Sequence, residues 1–114
     1  MKPGVRFHIR DAGAHPDLAI GPGKVALLEA IRDTGSITAA ARRLGMSYRR
    51  AWLLVDETNR CLVGPAVATA SGGEKGGGTT LTALGAELVL RYRALERETG
   101  TAVRRRLRSV LRAS

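Results

Sequence analysis

ITAAARRLGMSYRRAWLLVD, residues 37–56, is the stretch on which the fold turns. Ser36 stands where an N-cap is wanted, and a short helix is expected from there to about Leu44. Gly45 breaks it, and Ser47 caps a further helix running to about Arg60. Two short helices crossing steeply over a tight turn need a small residue at the crossing and a positive φ in the turn. Ala40–Ala41 supplies the first, and Gly45, four residues after Ala41, supplies the second. Leu44 and Met46 flank the turn and are expected to point inward, while Ala51 and Leu54 fold the second helix back onto the first. Tyr48, Ala51, Trp52 and Val55 are placed on one face, with Trp52 in the core rather than stacked on a base. Tyr48 is ambiguous, since its ring can pack inward while its hydroxyl reaches a phosphate.

The polar residues of this stretch give it a direction. Ser47, Tyr48, Arg49 and Arg50 occupy the first turn of the second helix, the part of a helix-turn-helix that enters the major groove. Two cations at a helix N-terminus oppose the macrodipole, so folding alone does not account for Arg49 and Arg50. Either suits the bidentate pairing of a guanidinium with a guanine edge. Arg42 and Arg43 are placed to reach phosphates. The competing reading is a plain helical hairpin that binds nothing.

Upstream, residues 5–10 (VRFHIR) alternate apolar and polar, the period of a half-buried strand, and residues 11–21 read as a connecting loop. Pro22 suits the first turn of a helix carrying Val25, Leu27, Leu28 and Ile31, which Gly35 ends with a left-handed cap. Downstream, Val67 and its neighbours and Thr79–Leu81 read as two strands around SGGEKGGG, residues 71–78, with five glycines in eight residues. That segment is taken as a wing, Lys75, Gly76 and Gly77 approaching the nucleic acid, with a solvated linker as the alternative. A phosphate-binding P-loop is rejected, because Gly78 stands where the lysine belongs. Thr82 caps a last, long helix on which Leu84, Leu88, Tyr92, Leu95, Thr99, Val103, Leu107 and Val110 step by three or four, and Gly100 weakens it midway.

Composition bounds the partners. The 114 residues suit one domain, and with aromatics at 4% the core has to be aliphatic. The net charge of +9 points to a polyanion. Two thirds of that excess sits in residues 91–114, where eight arginines face Glu96 and Glu98. The single cysteine, Cys61, excludes an intrachain disulfide and reads as a small buried hydrophobe. His8 and His15 lack partners at metal-ligand spacing, Asp56 and Glu57 read as a solvated flank, and no nucleophile–base set or carboxylate pair stands out, so no enzyme is expected. No apolar run follows Lys2 and Arg6 as in a signal peptide, and none is long enough to span a bilayer. The expected setting is cytoplasmic, in a GC-rich prokaryote.

At this point a family is recognisable. The run GSITAAARRLGMSYRRAWLLVDETN followed by GGEKGGGTTLTALG resembles the DNA-binding domain of ModE-type molybdate-responsive transcription regulators. Gly35-Ser36-Ile37, Ser47-Tyr48-x-x-Ala51-Trp52, Asn59, the glycine-rich wing and Leu81-Thr82-x-x-Gly85 carry the resemblance, in the same order, over nearly the whole chain. It implies a winged helix that dimerises through its terminal helices and sets two reading helices on a palindromic operator. It also implies Ser47, Tyr48, Arg49, Arg50, Lys75 and the wing glycines as the DNA-binding residues. Full-length members continue into a domain that binds molybdate or tungstate, which these residues do not include. No bound cofactor or metal is therefore expected here, and an oxyanion on the glycine-rich segment or at a helix N-terminus is only a remote alternative.

The expected fold is mainly α with a small antiparallel β hairpin: a winged helix-turn-helix over 1–82, an N-terminal strand, and a dimerisation helix over 83–114 in the same domain. The expected function is a sequence-specific, dimeric DNA-binding transcription regulator with double-stranded DNA as partner and no membrane association. The alternatives are an effector- or protein-interaction module of the same family that does not read DNA, and a non-specific nucleic-acid binder driven by the arginine-rich tail.

Overall fold

The structure, a computed structural model, describes residues 2–10, 13, 18–70 and 78–112. The order of elements is β1 (Ile9–Arg10), β2 (Ala19–Ile20), α1 (Pro22–Thr34), α2 (Ile37–Arg43), α3 (Tyr48–Cys61), β3 (Val67–Thr69), β4 (Thr79–Leu81) and α4 (Ala83–Leu107). Three helices carry the N-caps that the sequence calls for. The Ser36 hydroxyl accepts from the Ala39 amide, Ser47 from Arg50 and Thr82 from Gly85, at 3.0–3.1 Å. Each satisfies one amide that the helix itself leaves without an acceptor. Pro22 opens α1, and Gly35 closes it at φ 69°, its amide on the Ile31 carbonyl at 2.8 Å.

α1 is the central helix. Val25, Leu27, Leu28, Ala30 and Ile31 are buried from several sides, against Ile37, Ala40 and Ala41 of α2, Ala51 and Val55 of α3, and Val89 and Tyr92 of α4. The core is aliphatic except for Tyr92 and the half-buried Phe7. β3 and β4 pair antiparallel, with Val67 opposite Leu81 and Thr69 opposite Thr79. The Ala70 amide extends the ladder to the Gly78 carbonyl, and the Thr79 amide ties β4 to the carbonyl of Gly35 at the end of α1. Helices α1–α3 with this hairpin behind them make a winged helix, mainly α, with a long C-terminal helix.

Several details depart from the sequence reading. The expected strand over 5–10 shrinks to Ile9–Arg10, and its partner β2 lies inside the stretch taken as a loop. Residues 3–7 instead run antiparallel to α4. Phe7 stacks on Tyr92 with ring centroids 4.4 Å apart, the Tyr92 hydroxyl donates to the Phe7 carbonyl at 2.6 Å, and Arg104 reaches the Pro3 carbonyl at 3.4 Å. A helix offers no free ladder to pair with, so this segment is extended without being a strand. Of the two residues flanking the turn, Met46 packs on the core, whereas Leu44 is exposed. On α4 the buried positions are Gly85, Val89, Tyr92 and Gly100, and Leu95 is exposed. Gly100 does not interrupt the helix.

Candidate nucleic-acid interface

The turn between α2 and α3 depends on Gly45, at φ 69°, a conformation that costs a residue with a Cβ roughly 1–2 kcal/mol. The Gly45 amide bonds the Arg42 carbonyl and that of Met46 the Ala41 carbonyl. α3 then starts at Tyr48 with its first turn exposed.

A helix advances about 100° per residue, and the contacts of α3 fix which way each side chain faces. Ala51, Val55 and Thr58 are buried against the core. One flank, Leu54, Glu57 and Cys61, meets α1 and the N-terminal hairpin: Lys24 pairs with Glu57 at 2.9 Å, and Cys61 lines a cavity with Ile9, Leu18 and Ile20. The other flank meets the base of the β3–β4 hairpin, where Asn59 Oδ1 accepts from the Ala66 amide at 2.8 Å. Arg49, Leu53, Asp56 and Arg60 therefore point outward.

The residues singled out from sequence fall as follows. Ser47, Tyr48, Arg49 and Arg50 lie together and exposed at the start of α3. Ser47 uses its oxygen as the cap and keeps its hydroxyl proton to donate. Arg42, Arg49 and Arg50 have no side-chain hydrogen bond or ion pair among the described residues, whereas Arg43 is 3.4 Å from Asp33. Asp33 lies below the usual carboxylate range because Arg32 donates to it. Arg50 also borders a groove of about 250 Å³ between α3 and the start of α1, with His8, Lys24 and Glu57. Lys75, Gly76 and Gly77 lie outside the described residues, as does His15. The strands that lead to them are in place.

Two expectations for α3 are corrected. Trp52 is 38% exposed and Tyr48 53%, in edge-to-face contact at 6.3 Å, rather than sharing the buried face. Trp52 is one residue, about 100°, round from Ala51, which takes it off the buried line of Ala51, Val55 and Thr58, and Tyr48 stands at the exposed start of the helix, before the first buried position. Glu57 is not a solvated flank but half of the partly buried pair with Lys24. Sequence reasoning also assigned no role to Asn59, although its Asn–x6–Ala spacing to the hairpin was visible. Among the described residues no group of His, Cys, Asp or Glu could hold a metal ion, and no helix is long and apolar enough to cross a membrane.

Behind the site, the hairpin is clamped to both α3 and α4. The Thr82 amide bonds the Ala66 carbonyl at 2.9 Å and its hydroxyl donates to the Pro65 carbonyl at 2.7 Å. A Cβ on Gly85 would run into the backbone of Ala66, so only glycine lets α4 approach this closely. Farther along, Arg93 donates to Glu29 of α1 at 2.5 and 3.1 Å and to Glu96 at 2.7 Å. Those carboxylates hold its pKa above the ordinary arginine value.

No family model matches the chain. It is 49% identical over 77 residues to the molybdenum-pterin-binding protein MopB of Rhodobacter capsulatus, covering 68% of this chain and 28% of that protein. It is 42% identical over 87 residues to the molybdenum transport protein ModE of Azotobacter vinelandii, covering 76% and 32%. With the DNA-binding transcriptional dual regulator ModE of Escherichia coli K12 it shares 38% over 71 residues, covering 62% and 27%. The chain thus spans about a third or less of the length of these relatives. With its winged-helix fold, it is a homologue of ModE-type regulators over that part of their length.

Proposed function

We propose that this chain is a sequence-specific DNA-binding transcription regulator that acts as a dimer on a palindromic operator, with α3 as the reading helix. The observation that carries this reading is the first turn of α3. Arg49 and Arg50 are exposed there, without partners among the described residues, at a helix end where two cations are unfavourable for folding. A protein keeps such an arrangement for an anionic partner, and the net charge of +9 agrees with one. In this reading Arg49 and Arg50 take base edges, Ser47 and Tyr48 donate to the backbone, Arg42 and Arg43 take phosphates, and Lys75, Gly76 and Gly77 form the wing.

Dimerisation is assigned to α4. Its buried stripe through Gly85, Val89 and Tyr92 continues, at the same helical spacing, as Val103 and Leu107, and Val110 follows in the turn just after the helix. Leu107 is 41% and Val110 73% exposed, so this end of the stripe has an apolar face that a second copy would cover. Two copies related by a two-fold axis present two reading helices, which matches a palindromic site.

Selection of DNA sites from a random pool by the whole chain, with and without molybdate, tests the reading. The expected result is an enriched palindrome. Arg49→Ala or Arg50→Ala then relaxes one position of each half-site, at about 1–3 kcal/mol per lost base contact. A double variant that binds selected and random DNA as the wild type does would overturn the assignment of α3. If no motif is enriched at all, a protein- or effector-interaction role is favoured.

A further inference from the structure

The outward face of α3 carries more than cations. Leu53 lies one turn beyond Arg49 and nearly opposite the buried pair Ala51 and Val55, which are 0% and 2% exposed. It is itself 49% exposed, with Trp52 beside it. Its neighbours on that face are Arg49, Asp56 and the Asp56-paired Arg60, all polar. The apolar periodicity of α3 is complete without Leu53, since Ala51, Leu54, Val55 and Thr58 already close the helix onto the core. A leucine in the middle of a charged, outward face is therefore not needed to close the core. It lies on the same face as an arginine free to pair with a base edge.

In the major groove, thymine presents a C5-methyl group, the one apolar feature by which base pairs differ there. An apolar side chain one turn along a reading helix from a base-pairing arginine is suited to meet it, and burying the methyl gives discrimination that no polar residue provides. We propose that Leu53 is a specificity-determining residue that reads the C5-methyl of a thymine in each half-site. This rests on the assignment of α3 as the reading helix. Arg49 and Arg50, one turn before Leu53 and without partners among the described residues, commit the patch to a polyanion rather than to an apolar protein surface.

The test uses the whole chain and its selected site. Each thymine of one half-site is replaced in turn by deoxyuridine, which removes only the methyl group. The wild type is expected to lose about threefold to fivefold in affinity at one position, as for one buried methyl group. Leu53→Ala, an alanine at an exposed helix position that keeps the fold, is expected to bind the thymine and uracil sites equally at that position. It should keep its response to changes at the guanine assigned to Arg49. Leu53→Met, which keeps an apolar tip, is expected to restore much of the difference. Thermal unfolding of each variant confirms that it is folded.

A wild type indifferent to uracil at every thymine overturns the proposal. So does a selected site without thymine, or a Leu53→Ala variant that still distinguishes the two sites as the wild type does. If any of these occurs while the motif still depends on Arg49, Leu53 alone is wrongly assigned. If no motif is enriched, the reading of α3 falls with it.

Discussion

At Gly85 the first turn of α4 lies directly on the backbone of Ala66, and a methyl group has no room because a peptide, not a flexible side chain, is in the way. Gly85→Ala is expected to lower stability by about 1–3 kcal/mol or more, the range for overpacking, although alanine is the better helix former. Denaturant titration checks this. Arg93 poses the opposite case. It sits between Glu29 and Glu96 with its side chain 31% exposed. Arg93→Ala leaves two half-buried carboxylates facing each other without a cation, and a loss of about 1–3 kcal/mol is expected, again measured by denaturant.

Among the elements, α3 is held on three sides and free on the fourth. The side formed by Asn59 helps set where the hairpin stands relative to α3, because its carboxamide oxygen accepts from the amide of Ala66, the residue before β3. Asn59→Ala leaves the Ala66 amide without that acceptor, at a cost of about 1–3 kcal/mol. If the hairpin is a wing, the variant should also bind its operator with a shallower salt dependence, while the base preferences owed to Arg49 and Arg50 persist. Salt-dependent titrations of wild type and variant on one operator measure both.

For the molecule as a whole, the dimensions are 60 × 33 × 25 Å, and α4, with 25 residues, is its longest helix. Segment 3–7 braces it through the Phe7–Tyr92 stack and the Tyr92 hydroxyl. Burial pushes the Tyr92 phenol above its ordinary pKa, against a value of about 10 in the unfolded chain. The raised folded value means that its contribution is complete below about pH 10 and is lost as pH rises through the folded value, where the unfolded chain has already released its proton. Thermal unfolding followed from pH 8 upward should therefore show a fall in stability that Tyr92→Phe removes, and at neutral pH Tyr92→Phe should cost about 0.5–1.5 kcal/mol. Deleting residues 104–114 is expected to weaken self-association and binding to all DNA while leaving base preference intact. Sedimentation and titration on selected and random sites check it.

The sequence by itself determined the helices, their caps and the turn. Ser36, Ser47 and Thr82 act on amides two or three residues away, and Gly35 and Gly45 supply positive φ where the chain must reverse, so the information is local. The first turn of α3 was legible for the same reason. Only the tertiary structure decided which side of each element is inside. Trp52 has a hydrophobic ring but is 38% exposed, because it lies about 100° round the helix from Ala51 and the core is closed by Ala51, Val55 and Thr58. Residues 5–10 alternate as a strand does, yet most of them brace a helix, because their contact with Tyr92 spans 85 positions of the chain. Periodicity states how often a side chain turns; what it meets when it turns depends on residues far away in sequence, as Glu57 meeting Lys24 and Asn59 meeting Ala66 also show.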